Sequence, residues 1–295
     1  MTTAGIRPNR LREITAAGDA AINGWLGIPS VISAEVMAHQ GWDSLTIDMQ
    51  HGMIGYNDLA PMLAAISTTQ TVPLVRAPWL EPGILGKILD AGAYGVICPM
   101  IETAADVEAF VTATSYPPRG RRSMGPIRAA LYGGPGYTAQ ANDTILRFAM
   151  IETRGALDNL DAILAVDGLD AVYIGPSDLS LALGRPPRFD QDDPVVLEAI
   201  LDVGRRTRAA GRIAGIHNGY PPYARRMIAA GFNFVTVGTD TMFLADGSRA
   251  MLAEIRHDPA AAPQPGRGYE TKGGAPAPAS PLNSPSGPAD SRRLR

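Results

Sequence analysis

The feature that most constrains the fold is a regular alternation of eight short apolar runs with amphipathic helix patterns. None of the runs shows the polar–apolar alternation of a half-exposed strand, so they are typical of parallel strands buried on both faces. The predicted strands are Trp25–Ile28, Ser44–Ile47, Pro73–Ala77, Gly95–Cys98, Arg147–Ile151, Ala171–Ile174, Ile213–Ile216 and Phe234–Val237.

The segments between these strands predict helices. Helix patterns cover Ala34–Gln40, Leu59–Ser67, Ile84–Ala91, Ala104–Thr114 and Tyr223–Ala230. Glycines follow three of them at positions 41, 92 and 231, as is common where a helix ends before a strand. Eight alternating units in roughly 235 residues match a (β/α)8 TIM barrel, an α/β fold. A doubly wound sheet has fewer strands, and no G-x-G-x-x-G turn follows the first predicted strand.

Composition divides the chain near residue 257. The stretch from Asp258 to Arg295 contains eight prolines, five glycines and almost no large apolar residue. Such a segment cannot bury enough apolar surface to offset the entropy lost on ordering. We therefore predict a single barrel domain over residues 1–257 and a disordered Pro/Gly-rich tail over 258–295.

Charge and cysteine content exclude several classes of protein. The net charge of −3 gives no electrostatic reason to bind nucleic acid or an anionic membrane. Cys98 is the only cysteine, so neither an internal disulfide nor a cysteine-based zinc site can form. No apolar run is long enough to cross a bilayer, and no signal-peptide core is present. We expect a soluble, cytoplasmic protein.

In a TIM barrel the chemistry occurs at the carboxyl ends of the strands. Polar residues at the predicted strand ends are Asp48, Gln50, His51, Arg76, Glu152, Arg154, Ser177, Asp178, His217, Asn218, Thr239 and Asp240. Two carboxylates on adjacent strand ends, with a histidine and an arginine opposite, can bind a hard divalent cation and a small oxyanion together.

The carboxylates at these strand ends also have structural interpretations. Asp178 opens the helix-like run DLSLALG and could equally be a helix cap. Glu152 is a poorer capping residue, so a ligand role is favoured. Asp48 could anchor a barrel turn.

The remaining strand-end candidates have structural alternatives as well. Arg76 could form a structural salt bridge. His217 is favoured as a satisfied hydrogen-bonding residue rather than a base. Trp25 lies in a predicted strand, where packing is the more common role of a tryptophan.

Six motifs then identify a resemblance. They are IDMQHG (47–52), PLVRAP (73–78), LDAGAYGVICPM (89–100), YPPRGRRSMGP (116–126), AMIETRGALDNLDAI (149–163) and YIGPSDLSLALG (173–184). Together they resemble the HpcH/HpaI aldolases, which are metal-dependent, pyruvate-specific class II aldolases. The similarity runs from Asn23 to Ile255 with the strand ends in the same order.

The resemblance implies roles for five residues. His51 matches the catalytic base, and Arg76 matches the arginine that stabilises the enolate. Asp90 matches the aspartate paired with that histidine. Glu152 and Asp178 match the carboxylates that hold a divalent cation, which could be Mg²⁺, Mn²⁺ or Co²⁺.

The resemblance also implies a substrate-binding set with two departures. Ser177 matches the position where a backbone N–H meets the pyruvate carboxylate, and Trp25 is placed in the same set. Gln50 replaces the family's glutamate, which removes a negative charge near the metal. Met150 replaces a glutamine and so loses a hydrogen bond to the keto acid. His217 and Asn218 make the end of the seventh strand more polar than in those enzymes, which could serve a hydroxyl of the acceptor.

The implied reaction joins pyruvate and an aldehyde, or cleaves the product. Lys87 and Lys272 are the only lysines, and neither ends a strand, so a Schiff-base mechanism is disfavoured. One alternative is a CoA-ester lyase of the citrate-lyase β type, for which Arg119, Arg121 and Arg122 could bind phosphates. A second is a non-catalytic carboxylate-binding protein with a relic site.

The resemblance further implies a homo-oligomer, a hexamer arranged as a trimer of dimers. The helix predicted to end at Asp90 runs away from the catalytic face, whereas His51 lies on that face. We therefore predict that Asp90 reaches His51 of a neighbouring subunit and orients its imidazole.

Overall fold

The computed structural model describes residues 5–257 and has the predicted (β/α)8 architecture. Eight parallel strands form a closed barrel in sequence order, and β8 pairs with β1. The strands are β1 (Ala21–Leu26), β2 (Ser44–Asp48), β3 (Val72–Arg76), β4 (Gly95–Cys98), β5 (Leu146–Ile151), β6 (Ala171–Ile174), β7 (Ile213–Asn218) and β8 (Phe234–Val237). The tail predicted over 258–295 lies outside the described residues.

The first strand shows why the apolar criterion misplaced one boundary. β1 begins at Ala21, four residues before its predicted start. Asn23 is fully buried, and its Oδ1 accepts hydrogen bonds from the hydroxyls of Ser44 at 2.8 Å and Thr46 at 3.1 Å. Its Nδ2 donates to Thr236 Oγ1 at 2.9 Å. A polar network inside the barrel therefore replaces the apolar packing that the sequence criterion requires.

Helices cover the barrel and form its outer layer. They are α1 (Arg10–Ala16), α2 (Val31–Ala38), α3 (Tyr56–Ile66), α4 (Pro82–Asp90), α5 (Ala104–Thr114), α6 (Ile127–Gly133), α7 (Tyr137–Thr144), α8 (Arg154–Asp158), α9 (Leu160–Leu164), α10 (Pro176–Ala182), α11 (Pro194–Ala209), α12 (Pro221–Ala229) and α13 (Asp240–Arg256). The predicted helices α2, α3, α4 and α12 begin two or three residues earlier than expected. A cap or an N1 proline starts the helix before its first buried residue, as Glu81 and Pro82 do in α4.

Aromatic side chains fill the centre of the barrel and define the floor of the site. Phe148, Tyr173 and Phe234 are fully buried. The ring of Phe234 lies 4.9 Å from that of Phe148 and 6.0 Å from that of Tyr173, centroid to centroid. This aromatic layer fills the barrel interior below the carboxyl ends of the strands. None of the helices within residues 5–257 is both long and apolar enough to cross a membrane.

Candidate active site

A cavity of about 120 Å³ opens at the carboxyl ends of the strands. Its lining residues are Trp25, His51, Arg76, Met150, Gly175, Pro176, Ser177, Asp178, Phe189 and His217. Six of the nine predicted site residues are in this set. The other three lie elsewhere: Gln50 precedes the lining residue His51, Glu152 is two residues after the lining residue Met150, and Asp90 is at the end of α4.

The β2–β3 side of the cavity is built on a buried ion pair. Arg76 donates from Nε to Asp48 Oδ1 at 2.8 Å and from Nη2 to Oδ2 at 2.6 Å. Burial opposes ionisation of Asp48, but the hydrogen bonds and charge of Arg76 outweigh it and lower the pKa of that carboxyl. Trp25 donates from Nε1 to Asp48 Oδ2 at 3.2 Å, and its ring lies under the guanidinium at 4.9 Å. The structural salt bridge considered for Arg76 is therefore present. It leaves Nη1 without a hydrogen bond in the described chain.

Asp48 also fixes the turn that carries His51. Its Oδ1 accepts the backbone N–H groups of Gln50 at 3.0 Å and His51 at 3.2 Å. The His51 side chain is exposed at the rim of the cavity. Gln50 does not line the cavity, and its Oε1 is buried without a partner among residues 5–257. One carboxylate thus orients both Arg76 and the backbone of the predicted base.

Glu152 directly follows β5 and is almost fully buried. Its Oε1 accepts the backbone N–H of Met100 at 2.8 Å, and Met100 has a left-handed φ of 55°. Burial raises the pKa of Glu152 to about 7. The negative charge of Asp178 adds to this rise, while the Met100 N–H and Arg76 oppose it. The residues around Glu152 therefore do not supply enough positive charge to offset the effect of burial on its carboxylate.

The second carboxylate belongs to the first turn of α10. The N-cap of α10 is Gly175, and the Asp178 side chain makes no hydrogen bond within the described chain, so the capping role considered for Asp178 is not what this structure has. A Cβ at Gly175 would lie 2.6 Å from Glu152 Oε2 and 2.5 Å from Met150 Cε. Glycine therefore leaves the ends of both side chains in place, whereas a larger residue would displace them.

This donor set fits a hard divalent cation. Glu152 Oε2 lies against Gly175, the N-cap of the helix whose first turn carries Asp178, and the negative charge of Asp178 adds to the effect of burial on the pKa of Glu152. No group of three or more metal-ligating side chains occurs in residues 5–257. Mg²⁺ and similar ions are commonly held by one or two carboxylates, with water and substrate oxygens as the remaining ligands.

His217 lies on β7 and contributes to the cavity wall. Its Nδ1 is 3.0 Å from the hydroxyl of Tyr173, whereas Nε2 is buried with no partner among the described residues. Burial, assisted by the charge of Arg76, lowers the pKa of His217 to about 3. The prediction that His217 is a hydrogen-bonded structural residue therefore holds for Nδ1 but not for Nε2.

Phe189 and Met100 were not predicted as parts of the site. Phe189 packs on His217 with ring centroids 4.6 Å apart and the rings tilted by 31°, and it lies in the loop after α10. Met100 supplies the N–H that orients Glu152. Both lie in loops, and neither residue type marks a site in the sequence.

Asp90 lies at the carboxyl end of α4, before β4 begins, and therefore toward the opposite end of the barrel from the cavity. It accepts a hydrogen bond at 2.7 Å from Arg122 Nη2, whose guanidinium is stacked over Tyr116 and bonded to the Tyr137 hydroxyl at 3.1 Å. About a third of the Asp90 side chain is exposed. Its partner within the described chain is Arg122, not His51.

The arginine run considered for CoA phosphates lies between α5 and α6. Arg122 is buried in the cluster just described, and Arg119 pairs with Asp143. Ser115, which accepts the Arg122 N–H, also contacts Arg147 near the start of β5. The run therefore lies toward the amino-terminal end of the strands, away from the cavity.

Comparison with known proteins agrees with this geometry. The chain is 44% identical over 248 residues to a hydroxypyruvate/pyruvate aldolase of Rhizorhabdus wittichii, which covers 84% of this chain and 99% of the relative. It is 40% identical over 246 residues to a 2-keto-3-deoxy-L-rhamnonate aldolase of Klebsiella pneumoniae, covering 82% and 91%.

A solved structure has the same fold. The crystal structure of an HpcH/HpaI aldolase/citrate lyase family protein from Burkholderia cenocepacia matches with a TM-score of 0.79 and 32% identity, over 85% of this chain and all of that one. The family profile described as HpcH/HpaI aldolase/citrate lyase matches residues 24–247. With its barrel, its cavity and these relatives in agreement, the chain belongs to the HpcH/HpaI aldolase/citrate lyase family.

Proposed function

We propose that this protein is a metal-dependent class II aldolase that makes or cleaves a carbon–carbon bond between pyruvate and an aldehyde. The observation that carries the proposal is the cavity lined by Asp178 and the guanidinium of Arg76, with the buried carboxylate of Glu152 directly behind its lining residue Gly175. Related chains named as aldolases of pyruvate, hydroxypyruvate and a 2-keto-3-deoxy acid support the same reaction class.

Glu152 and Asp178 would hold the divalent cation, which we propose to be Mg²⁺, Mn²⁺ or Co²⁺. When bound, the cation supplies Lewis-acid stabilisation for negative charge on the enolate oxygen. The Met100 N–H keeps Glu152 Oε1 in place, and the close approach of Gly175 positions Oε2 toward α10.

Arg76 stabilises the same developing charge from the other side of the cavity. Asp48 holds two of its three nitrogens, so the guanidinium has a fixed orientation before substrate arrives. Nη1 is left to donate to the keto oxygen of pyruvate. A preorganised donor of this kind acts most strongly in a site that excludes water.

Substrate placement would depend on the residues that line the cavity. Ser177 is the second residue of α10, so its backbone N–H has no partner within the helix and is free to meet the pyruvate carboxylate. Trp25 forms an apolar wall beside Arg76, and Met150 packs against Gly175. Gln50 lies behind the rim and would act through its neighbour His51.

His51 is the proposed base. In the cleavage direction its imidazole takes the proton from the C4 hydroxyl as the C3–C4 bond breaks. In the synthetic direction it returns a proton to the alkoxide formed when the enolate attacks the aldehyde. Its place at the exposed rim suits a group that exchanges protons with solvent.

We further propose a homo-oligomer in which Asp90 orients His51 of a neighbouring subunit, with the hexamer implied by the resemblance. The helix α13 supports association, because only Asp240 of its 17 residues is buried within the chain. Large apolar side chains are exposed along it, at Phe243, Leu244, Met251, Leu252 and Ile255. Such a face needs a covering surface. A cytoplasmic location remains a prediction from the single, buried Cys98.

The reaction is tested with pyruvate and a panel of aldehydes, with the purified protein incubated with and without EDTA. We expect an aldol product that disappears with the chelator and returns when Mg²⁺, Mn²⁺ or Co²⁺ is added. Product formation that is insensitive to EDTA, or absent with every aldehyde and metal, would contradict the proposal. The second outcome is the one that a carboxylate-binding protein with a relic site predicts.

The CoA-ester lyase alternative is tested in the reverse direction. An aldolase releases pyruvate from a 4-hydroxy-2-oxoacid without CoA, whereas the alternative requires a CoA ester. The position of the arginine run, away from the cavity, favours the aldolase.

A further inference from the structure

The hydrogen bonds around His217 determine which of its nitrogens carries a proton. The Tyr173 hydroxyl donates its single hydrogen to Thr236 Oγ1 at 2.7 Å. Its oxygen can therefore only accept from His217 Nδ1, which lies 3.0 Å away. In the neutral ring one nitrogen is a donor and the other an acceptor. The network thus places the proton on Nδ1 and leaves a lone pair on Nε2.

The hydrogen bonds of Asn23, one of which binds the same Thr236 hydroxyl, fix the orientation of its side-chain amide. Asn23 accepts from Ser44 and Thr46 through Oδ1, so its amide nitrogen must face Thr236, to which it donates. All of these groups except the imidazole lie in the barrel interior. Nδ1 faces that interior, and Nε2 is therefore directed away from it, on the side where His217 lines the cavity.

Nε2 is an acceptor without a donor. It is buried and has no hydrogen-bond partner among residues 5–257. The ring is held by the edge contact with Trp25, at 4.9 Å, and by the tilted ring of Phe189, at 4.6 Å. The lowered pKa of His217 agrees with a neutral ring. Leaving such an acceptor unpaired costs stability, and a ligand that donates to it recovers that cost.

The reactants of an aldol addition offer few donors. The carboxylate and keto oxygens of a 2-oxoacid and the carbonyl oxygen of an aldehyde are acceptors only. A hydroxyl on a carbon next to a carbonyl is the group that can donate. We propose that His217 Nε2 accepts a hydrogen bond from such a hydroxyl, and that this makes His217 a specificity-determining residue for hydroxylated substrates.

This proposal rests on the proposed aldolase function and refines it. The hydroxyl has two possible sources, C3 of the keto acid, as in hydroxypyruvate, and C2 of the aldehyde, as in glycolaldehyde. Two substrate pairs distinguish them. The first compares hydroxypyruvate with pyruvate, each with propionaldehyde. The second compares glycolaldehyde with acetaldehyde, each with pyruvate.

The central experiment measures kcat/KM for both pairs in the wild-type protein and in His217→Leu. We expect the preference for the hydroxylated member to fall about tenfold in one pair, the scale of one lost hydrogen bond, and to change less than about twofold in the other. The pair that responds identifies the source of the hydroxyl. An unchanged preference in both pairs, with turnover retained, overturns the proposal.

Two further variants separate this role from a structural one and replace His217→Leu if it does not fold. His217→Gln keeps a donor toward Tyr173 and an acceptor toward the cavity, so it should retain most of the preference. Tyr173→Phe removes the acceptor that fixes the tautomer, and the preference should fall while the ring packing is kept. Loss of the preference in His217→Gln with retention in Tyr173→Phe would contradict the assignment.

A measurement independent of turnover completes the test. The protein has four histidines, so ¹⁵N-histidine NMR can assign His217 from the signal lost in His217→Gln. We expect a proton on Nδ1, a bare Nε2, and a shift of the Nε2 resonance when the responding hydroxylated substrate is added. A proton on Nε2 in the free protein overturns the proposal. If the wild type shows no metal-dependent aldol reaction, the proposed function fails, and the resonance of Nε2 on adding hydroxypyruvate or glycolaldehyde still decides the hydroxyl contact.

Discussion

The two sides of the cavity differ in how completely their polar atoms are paired. On the β2–β3 side, both oxygens of Asp48 are occupied by Arg76, Trp25 and two backbone N–H groups. On the β5–β7 side, the Asp178 side chain makes no hydrogen bond in residues 5–257, and His217 Nε2 has no partner there. The carboxylate of the first side is fully bonded before a ligand binds, although Arg76 Nη1 and Gln50 Oε1 on that side lack a partner among the same residues, whereas the Asp178 carboxylate of the second side is not bonded at all.

This difference indicates that the two sides of the cavity have different roles. A paired side has a fixed geometry and can stabilise charge without reorganising when the reaction occurs. An unpaired side has polar atoms without hydrogen-bond partners and carboxylates without a nearby cation. The raised pKa of Glu152 is the clearest sign of this. We interpret the β5–β7 side as the part that ligands complete, and the predictions below test that division.

The largest effect should come from breaking the unpaired side. Glu152→Ala or Asp178→Ala should reduce metal-dependent turnover by more than about 10³-fold while the barrel stays folded, because each removes one of two protein ligands. Initial rates across a metal titration, with circular dichroism, measure this. The control is Asp161→Ala, whose largely exposed carboxylate pairs with Arg206 on the outer surface and should leave the rate unchanged. Near-normal turnover in either site variant at ordinary metal concentration would show that the site is misassigned.

Breaking the paired side should have the next largest effect. Arg76→Ala should lower kcat by at least about 10²-fold, the usual consequence of removing one donor to a developing oxyanion. Arg76→Lys keeps the charge but cannot reproduce the two-point contact with Asp48, so it should lie between the wild type and Arg76→Ala. Steady-state kinetics separate the two parameters, and a change confined to KM would assign Arg76 to binding alone.

A third test asks whether the paired side is complete within one chain. Asp90→Asn should slow turnover roughly tenfold without weakening metal binding, if Asp90 orients His51 of a neighbour. Mixing His51→Ala and Asp90→Ala subunits under conditions that exchange chains should then restore part of the activity through hybrid interfaces.

A second measurement separates a role of Asp90 toward His51 from its structural contact with Arg122. If Asp90 serves only to pair with Arg122, Asp90→Asn should lower the melting temperature and the mixed subunits should stay inactive. A fully active monomer would also rule out the shared site.

The smallest effect concerns the neutral histidine of the unpaired side. His217 has a pKa near 3 in the folded chain, against an ordinary value of about 6.5, because burial and Arg76 disfavour its charged form. Between these values the unfolded chain binds a proton that the folded chain does not, so stability falls as the pH is lowered below about 6.5. The slope is about 1.4 kcal/mol per pH unit. Denaturant unfolding at several pH values should show this slope reduced in His217→Leu; an unchanged slope would mean that His217 is charged or exposed.

The strand ends could be predicted because buried parallel strands are short and apolar, and their carboxyl ends meet on one face. Seven strands begin within one residue of the prediction. The predicted start of β1 was too late because the polar Asn23 interrupts the apolar pattern. Its hydrogen-bond partners Ser44, Thr46 and Thr236 come from other strands and cannot be identified from one segment.

Side-chain pairing was the harder part. Asp48 was recognised as a strand-end carboxylate, but its hydrogen bonds with Arg76 and Trp25 depend on the register of β2 against β3 and β1. Met100 and Phe189 act from loops, where position is set by tertiary contacts rather than by residue type. The half-satisfied state of His217 likewise depends on a hydroxyl from the neighbouring strand β6.

Gly175 has a practical consequence for anyone who wishes to redirect this barrel to bulkier substrates. Any side chain at that position would displace the Glu152 carboxylate and the Met150 methyl group, so varying residue 175 would disturb the carboxylate proposed to hold the cation. Phe189 offers more freedom, because it sits on a loop and is only partly buried. Mutational effort to enlarge the cavity should therefore begin at the loop after α10 and leave the end of β6 unchanged.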